Sequence, residues 1–64
     1  MIMTKKQRIF RKLMNAYYEY AELLTREERN MCYNERGTYA NHTMHDLQKM
    51  HSAFQIRVAA AREA

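Results

Sequence analysis

The chain has 64 residues, 47% hydrophobic and 28% charged, with one Gly, no Pro and no Trp. That length holds one domain, and that composition excludes a disordered, collagen-like or low-complexity chain. A single cysteine excludes an intramolecular disulfide framework.

A domain of about 60 residues buries only about 60% of its unfolded surface and is marginal without a staple. With no disulfide available, a second copy of the chain is the expected staple. Eleven Lys and Arg against seven Asp and Glu give a net charge of +4. The charge is uneven: residues 1–18 carry +5, residues 19–36 carry −2 and residues 37–64 carry +1. The positive excess is therefore N-terminal. It suits phosphate, an anionic membrane surface or an acidic protein, or it simply keeps one end soluble.

The first predicted helix spans about residues 5–24. Thr4-Lys5-Lys6-Gln7 matches a capping box, in which the Thr hydroxyl and the Gln side chain satisfy each other's backbone amides. Phe10, Tyr17, Leu24 and Met31 recur every seven residues, with Leu13 and Tyr20 between them. Ile9, Ala16 and Leu23 flank one side, and Met14 and Ala21 the other. This stripe is wider than a two-stranded coiled-coil seam and suits a helix touching two or three neighbours. Thr25-Arg26-Glu27-Glu28 is a second capping box. Two readings stay open: one long helix to about Met31, or a break at Thr25 with a short helix to about Asn34. Glu27 interrupts the apolar row and favours the break.

Residues 35–42 read as a connection. Asn34 and Gly37 are turn formers, and Gly37 suits a left-handed helix C-cap. The connection holds a short strand or a short helix; Thr38-Tyr39-Ala40 has strand propensity and could pair with its own copy. The last helix spans about residues 43–62, with Asp46 in its first turn and an arc of Met44, Leu47, Met50, Phe54, Val58 and Ala61. His51 lies inside that arc. The expected fold is mainly all-α: one domain over residues 1–64, a hairpin of two principal helices assembled as an intertwined homodimer. Its core and dimer interface comprise Phe10, Leu13, Tyr17, Tyr20, Leu24, Leu47, Met50, Phe54 and Val58.

No catalytic signature is visible, and the expectation is a non-enzyme without a cofactor. Cys32, His42, His45 and His51 invite a metal, but zinc wants three or four ligands at set spacing and only one thiol exists. The two exposed histidines and one interfacial histidine are better read as ordinary polar and packing residues, and no metal is expected. Cysteine–histidine catalysis would need an orienting group and an oxyanion hole, and nothing marks either. The longest apolar run is Val58–Ala61, too short for a signal peptide or a membrane span. With a lone thiol, the expectation is a cytoplasmic protein.

Two surfaces remain. Tyr18 and Ile56 are apolar on otherwise polar faces and are the candidate partner contacts. Met1, Met3, Met14, Met31, Met44 and Met50 add a soft, adaptable inventory to the five tyrosines. Lys5, Lys6, Arg8, Arg11 and Lys12 form a candidate basic patch that could bind nucleic acid through counterion release. No recognised DNA-binding motif accompanies them.

The run RIFRKLMNAYYEYA over Arg8–Ala21, followed by LLTREERNMCYNERGTYANH and MHDLQKMHSAF, resembles the small early proteins of lambdoid temperate phages. Within that group it is similar to the pro-lytic developmental proteins encoded between the recombination and excision genes. The resemblance covers nearly the whole chain but contains no motif with known chemistry. It implies a non-enzymatic helical homodimer with a short strand, made early in infection. Such a protein would favour lytic development through a host or phage protein partner in the host cytoplasm. The residue-level alternative is a basic nucleic-acid-binding accessory protein.

Overall fold

A computed structural model describes residues 2–63; Met1, counted above among the soft apolar residues, lies outside them. The elements are α1 (Lys5–Glu19), a 3-10 turn (Ala21–Leu23), α2 (Arg26–Tyr33), α3 (Glu35–Asn41) and α4 (Met44–Glu63). No strand occurs among the described residues.

Three helices start on the same reciprocal cap. The Thr4 hydroxyl accepts the Gln7 amide at 3.1 Å, and Gln7 Oε1 accepts the Thr4 amide at 2.8 Å. Thr25 and Glu28 repeat this at 3.2 and 2.8 Å, and Thr43 and Asp46 at 3.1 and 3.2 Å. Each box satisfies amides that the first helical turn leaves without partners. The break at Thr25 is therefore real. α1 ends at Glu19, earlier than the expected Leu24, and Leu24 is extended.

The expected connection at 35–42 is instead mostly helix. The Asn34 carboxamide accepts the Gly37 amide at 3.3 Å and starts α3. Gly37 is thus in the first turn of α3, and no glycine has positive φ, so it is not a left-handed C-cap. A Cβ on Gly37 would come within 2.9 Å of Asn34 Cγ, so the missing side chain leaves room for the cap. Thr38 gives up its strand propensity to packing: it is buried, with its hydroxyl 2.9 Å from the Met31 and Asn34 carbonyls. That link fastens α3 to the end of α2.

The two principal helices do not form a hairpin. Tyr17 of α1 meets Phe54 of α4, and Tyr20, just past α1, meets Arg62 further along α4, so the two run in the same direction. Tyr18 meets Cys32 and Glu35, while the earlier Phe10 meets the later Tyr39, so α2 and α3 run back along α1. The result is an up–down–up bundle whose middle arm bends at Asn34. The sequence suggested a hairpin because α2 and α3 are individually short and lack a continuous stripe.

The core lies between α1 and α4. Leu13, Tyr17, Leu47 and Phe54 are fully buried, joined by Met14, Ala16 and Val58. Tyr17 and Phe54 meet edge to face, with ring centroids 4.8 Å apart and planes at 80°. Phe10, Tyr20, Leu24 and Met50 are partly buried against this cluster. All nine residues expected at a core and dimer interface therefore pack within one chain, so intertwining is not needed to cover them.

Arg57 of α4 secures the lower end. Its guanidinium donates to the Leu23 carbonyl at 3.0 Å and pairs with the Glu28 carboxylate. It also lies 5.4 Å from the Phe54 ring centroid. Burial pushes the Glu28 carboxyl up, but the Arg57 bond and the Thr25 cap outweigh it, so its pKa is lowered. Higher on the bundle, burial and then the nearby Lys12 charge lower the His51 pKa below 6.5.

Replacing Phe54 with Ala should cost about 3–5 kcal/mol, because it empties a fully buried aromatic site; calorimetry checks this as a large fall in Tm. His51 folds in its neutral form, so the unfolded chain takes up a proton first as pH falls. The stability held above pH 6.5 should therefore decline as pH drops below that value. The Tm slope between pH 7 and pH 5.5 should flatten in His51→Gln, measured by thermal denaturation; an unchanged slope would contradict the assignment.

Candidate functional site

With the core closed inside one chain, the apolar residues that remain outside mark the candidate surface. Ile2 is 89% exposed, Tyr33 88%, Ile56 72% and Tyr18 55%, with Met3 and Met44 less so. Ile2, Met3, Tyr18 and Tyr33 line two adjoining grooves on the side where the middle arm crosses α1.

The larger groove has a volume of about 570 Å³. Phe10 and Met14 of α1 and Tyr39 of α3 contribute apolar surface, with Ile2 and Met3 from the chain before α1. The Phe10 and Tyr39 rings pack edge to face, 5.2 Å apart at 66°. Lys6 sits 4.3 Å from the Tyr39 ring centroid, a cation–π contact. Arg11 from α1 and Arg36 from α3 also line the groove. Neither belongs to an ion pair among the described residues. The smaller groove, about 350 Å³, runs on between the 3-10 turn and α2, with Leu24, Cys32 and Tyr33 along it.

Tyr18 lines both grooves. Its hydroxyl donates to the Glu35 carboxylate and lies 3.5 Å from the Cys32 carbonyl. The hydrogen bond to Glu35, then desolvation, push its pKa up to about 12. Tyr18 is therefore held by its hydroxyl while its ring stays open to solvent. Ile56, the other candidate contact, lies on α4 outside both grooves, so the two residues do not share a site.

The basic patch divides in the same way. Lys5, Arg8, Arg11 and Lys12 are exposed on α1, while Lys6 is half-buried over Tyr39. A helical repeat of 3.6 residues sets Lys5, Arg8 and Lys12 on one face, with Arg11 at the edge nearer the groove. None of the five is in an ion pair among the described residues.

The metal-binding residue types disperse. His42 Nδ1 lies 2.7 Å from the Thr38 carbonyl, and His51 Nε2 lies 3.2 Å from the Gln55 amide nitrogen. Among the described residues no three His, Cys, Asp or Glu side chains gather around one point. Cys32 is half-buried, and burial, then Glu35 and Glu28, push its thiol pKa up, which disfavours the thiolate. Burial and the Glu28 charge raise the Tyr17 phenol far above its usual range. No described helix is long and apolar enough to cross a membrane.

Sequence reasoning missed Ile2, Tyr33 and Arg36 as parts of this surface. Ile2 precedes the first cap, and Tyr33 and Arg36 flank the bend at Asn34, so helical periodicity gave none of them a face. The available signal was Asn34 itself, an N-cap residue type directly before an acid. No protein-family model, curated protein or solved structure matches this chain.

Proposed function

We propose that this chain is a non-enzymatic interaction protein of the phage early type. In this reading it acts in the host cytoplasm and favours lytic development by binding a host or phage protein. The observation that carries the reading is the exposure of Ile2, Met3, Tyr18 and Tyr33 around two adjoining grooves, beside a core already closed. Aromatic and Met side chains left at such a surface are typical of interface centres. The phage setting rests on the sequence resemblance alone.

The working form is a homodimer. Because one chain covers its own core, the copies meet side by side, with Ile56 of α4 at the contact. A second reading, nucleic-acid binding, is favoured by Lys5, Arg8, Arg11 and Lys12, which are exposed and in no ion pair among the described residues.

Light scattering at micromolar concentration should give twice the chain mass of 7.8 kDa. Ile56→Asp should return it to the single-chain value with helical circular dichroism retained and a lower Tm; a folded wild-type monomer would overturn the dimer. A nuclease-treated pull-down from the bacterial host should retain a protein that Tyr18→Lys loses. Capture that disappears with nuclease, together with steeply salt-dependent binding to duplex DNA, would transfer the function to the basic face.

A further inference from the structure

The larger groove combines two features that do not occur together in the smaller one or at the Ile56 face. It offers a continuous apolar surface, from Ile2 and Met3 through Phe10 and Met14 to Tyr39. It also carries guanidinium groups on two different helices, Arg11 on α1 and Arg36 on α3, neither in an ion pair among the described residues. Glu35 is the one acid in its lining, and its carboxylate accepts the Tyr18 hydroxyl. Two guanidinium groups against one carboxylate leave the lining net positive, around an apolar centre.

We infer that this groove binds an acidic amphipathic segment of a partner protein, with large apolar side chains on Phe10, Met14 and Tyr39 and carboxylates against Arg11 and Arg36. This rests on the reading of the chain as a protein-binding module and names the chemistry of the partner. A planar guanidinium matches a carboxylate in two parallel hydrogen bonds, so Arg on both helices fixes register as well as charge. The apolar groove takes anchors at i, i+3 or i+4, and i+7 of an amphipathic helix. Met3, exposed at the groove edge, is flexible enough to accept more than one anchor shape. The basic face of Lys5, Arg8 and Lys12 lies alongside and draws an acidic partner in through long-range attraction.

A library of random 16-residue peptides, displayed on yeast and selected on the folded full chain, tests this. Enriched sequences should carry two or three large apolar residues at helical spacing, flanked by Asp or Glu. Fluorescence anisotropy with the best of them should show roughly tenfold weaker binding for Arg11→Glu and for Arg36→Glu, the size expected for one lost charge-assisted contact. Arg11→Gln and Arg36→Gln should weaken it in the same direction, which separates lost attraction from a folding defect. Ile56→Asp and Lys49→Glu should bind as the wild type does.

Enriched peptides without acids, or binding indifferent to Arg11 and Arg36, would overturn the inference. If such peptides still shift the Tyr18 and Tyr39 amide resonances, the acidic class alone fails and the protein-binding reading stands. No enrichment, together with duplex DNA that shifts the Arg11 and Arg36 resonances, would overturn both.

Discussion

The contact between Tyr17 and Phe54 orders the rest of the molecule. It joins two helices that run in the same direction, and no short loop can do that. The chain must first travel back along α1. α1 has 15 residues, and α2 and α3 have 8 and 7. At 1.5 Å per residue both paths are about 22 Å long, so the return matches the outward helix. The Thr25 box starts the return, Asn34 bends it, and the Thr43 box starts α4 where α1 also begins. Arg57 then holds the turn end of the bundle by bonding both sides of the first break, Leu23 and Glu28. Its position over Phe54 ties this polar clip to the aromatic contact it protects.

This arrangement decides which surface is left. α4 covers one side of α1 along its length, and the middle arm covers the other side incompletely because it bends. The gap on either side of the bend is where the two grooves lie, and Tyr18 spans them. Tyr18 keeps a fixed hydroxyl because the end of α2 and the start of α3 both reach it. The exposed ring is thus a consequence of the bend rather than an isolated apolar residue on a polar face.

Much of the local structure was legible in the sequence. The Thr4 and Thr25 boxes, the break at Thr25 and the stripe of α1 each follow from a short-range rule, and both boxes form as that rule requires. At Thr43 the sequence marked only the acid in the first turn, and the structure adds the reciprocal cap. The wide stripe on α1 also signalled more than one neighbour, and α4 and the middle arm are those neighbours. The direction of α4 was not legible, because it depends on whether residues 35–41 form a helix. Gly37, Thr38 and Tyr39 disfavour helix by intrinsic propensity. Their helix is set by contacts outside it: the Thr38 hydroxyl on the Met31 carbonyl of α2, and, from far along the sequence, the Tyr39 ring against Phe10 and Lys6. The same override hid Arg36 and Tyr33 from the candidate surface. For the basic run the sequence placed the charges but not their separation, since Lys6 turns inward to Tyr39 while the other four stay in solvent.

The charges on α1 work against the helix that bears them. Its first turn holds no acid, and lysines at a helix N-terminus oppose the macrodipole. The Thr4 box offsets part of that cost, and the Lys6 contact with Tyr39 turns one of the charges into a link between α1 and α3. Among the described residues Arg8, Arg11 and Lys12 have no such compensation, and Arg36 across the groove is in no ion pair either. Two helices from opposite ends of the return path thus bring unpaired cations to one apolar groove. Among the described residues Glu35 is the one acid lining that groove, and its carboxylate accepts the Tyr18 hydroxyl. Within this groove two guanidinium groups face one carboxylate around an apolar centre, and that net positive lining selects for an apolar partner segment bearing the opposite charge.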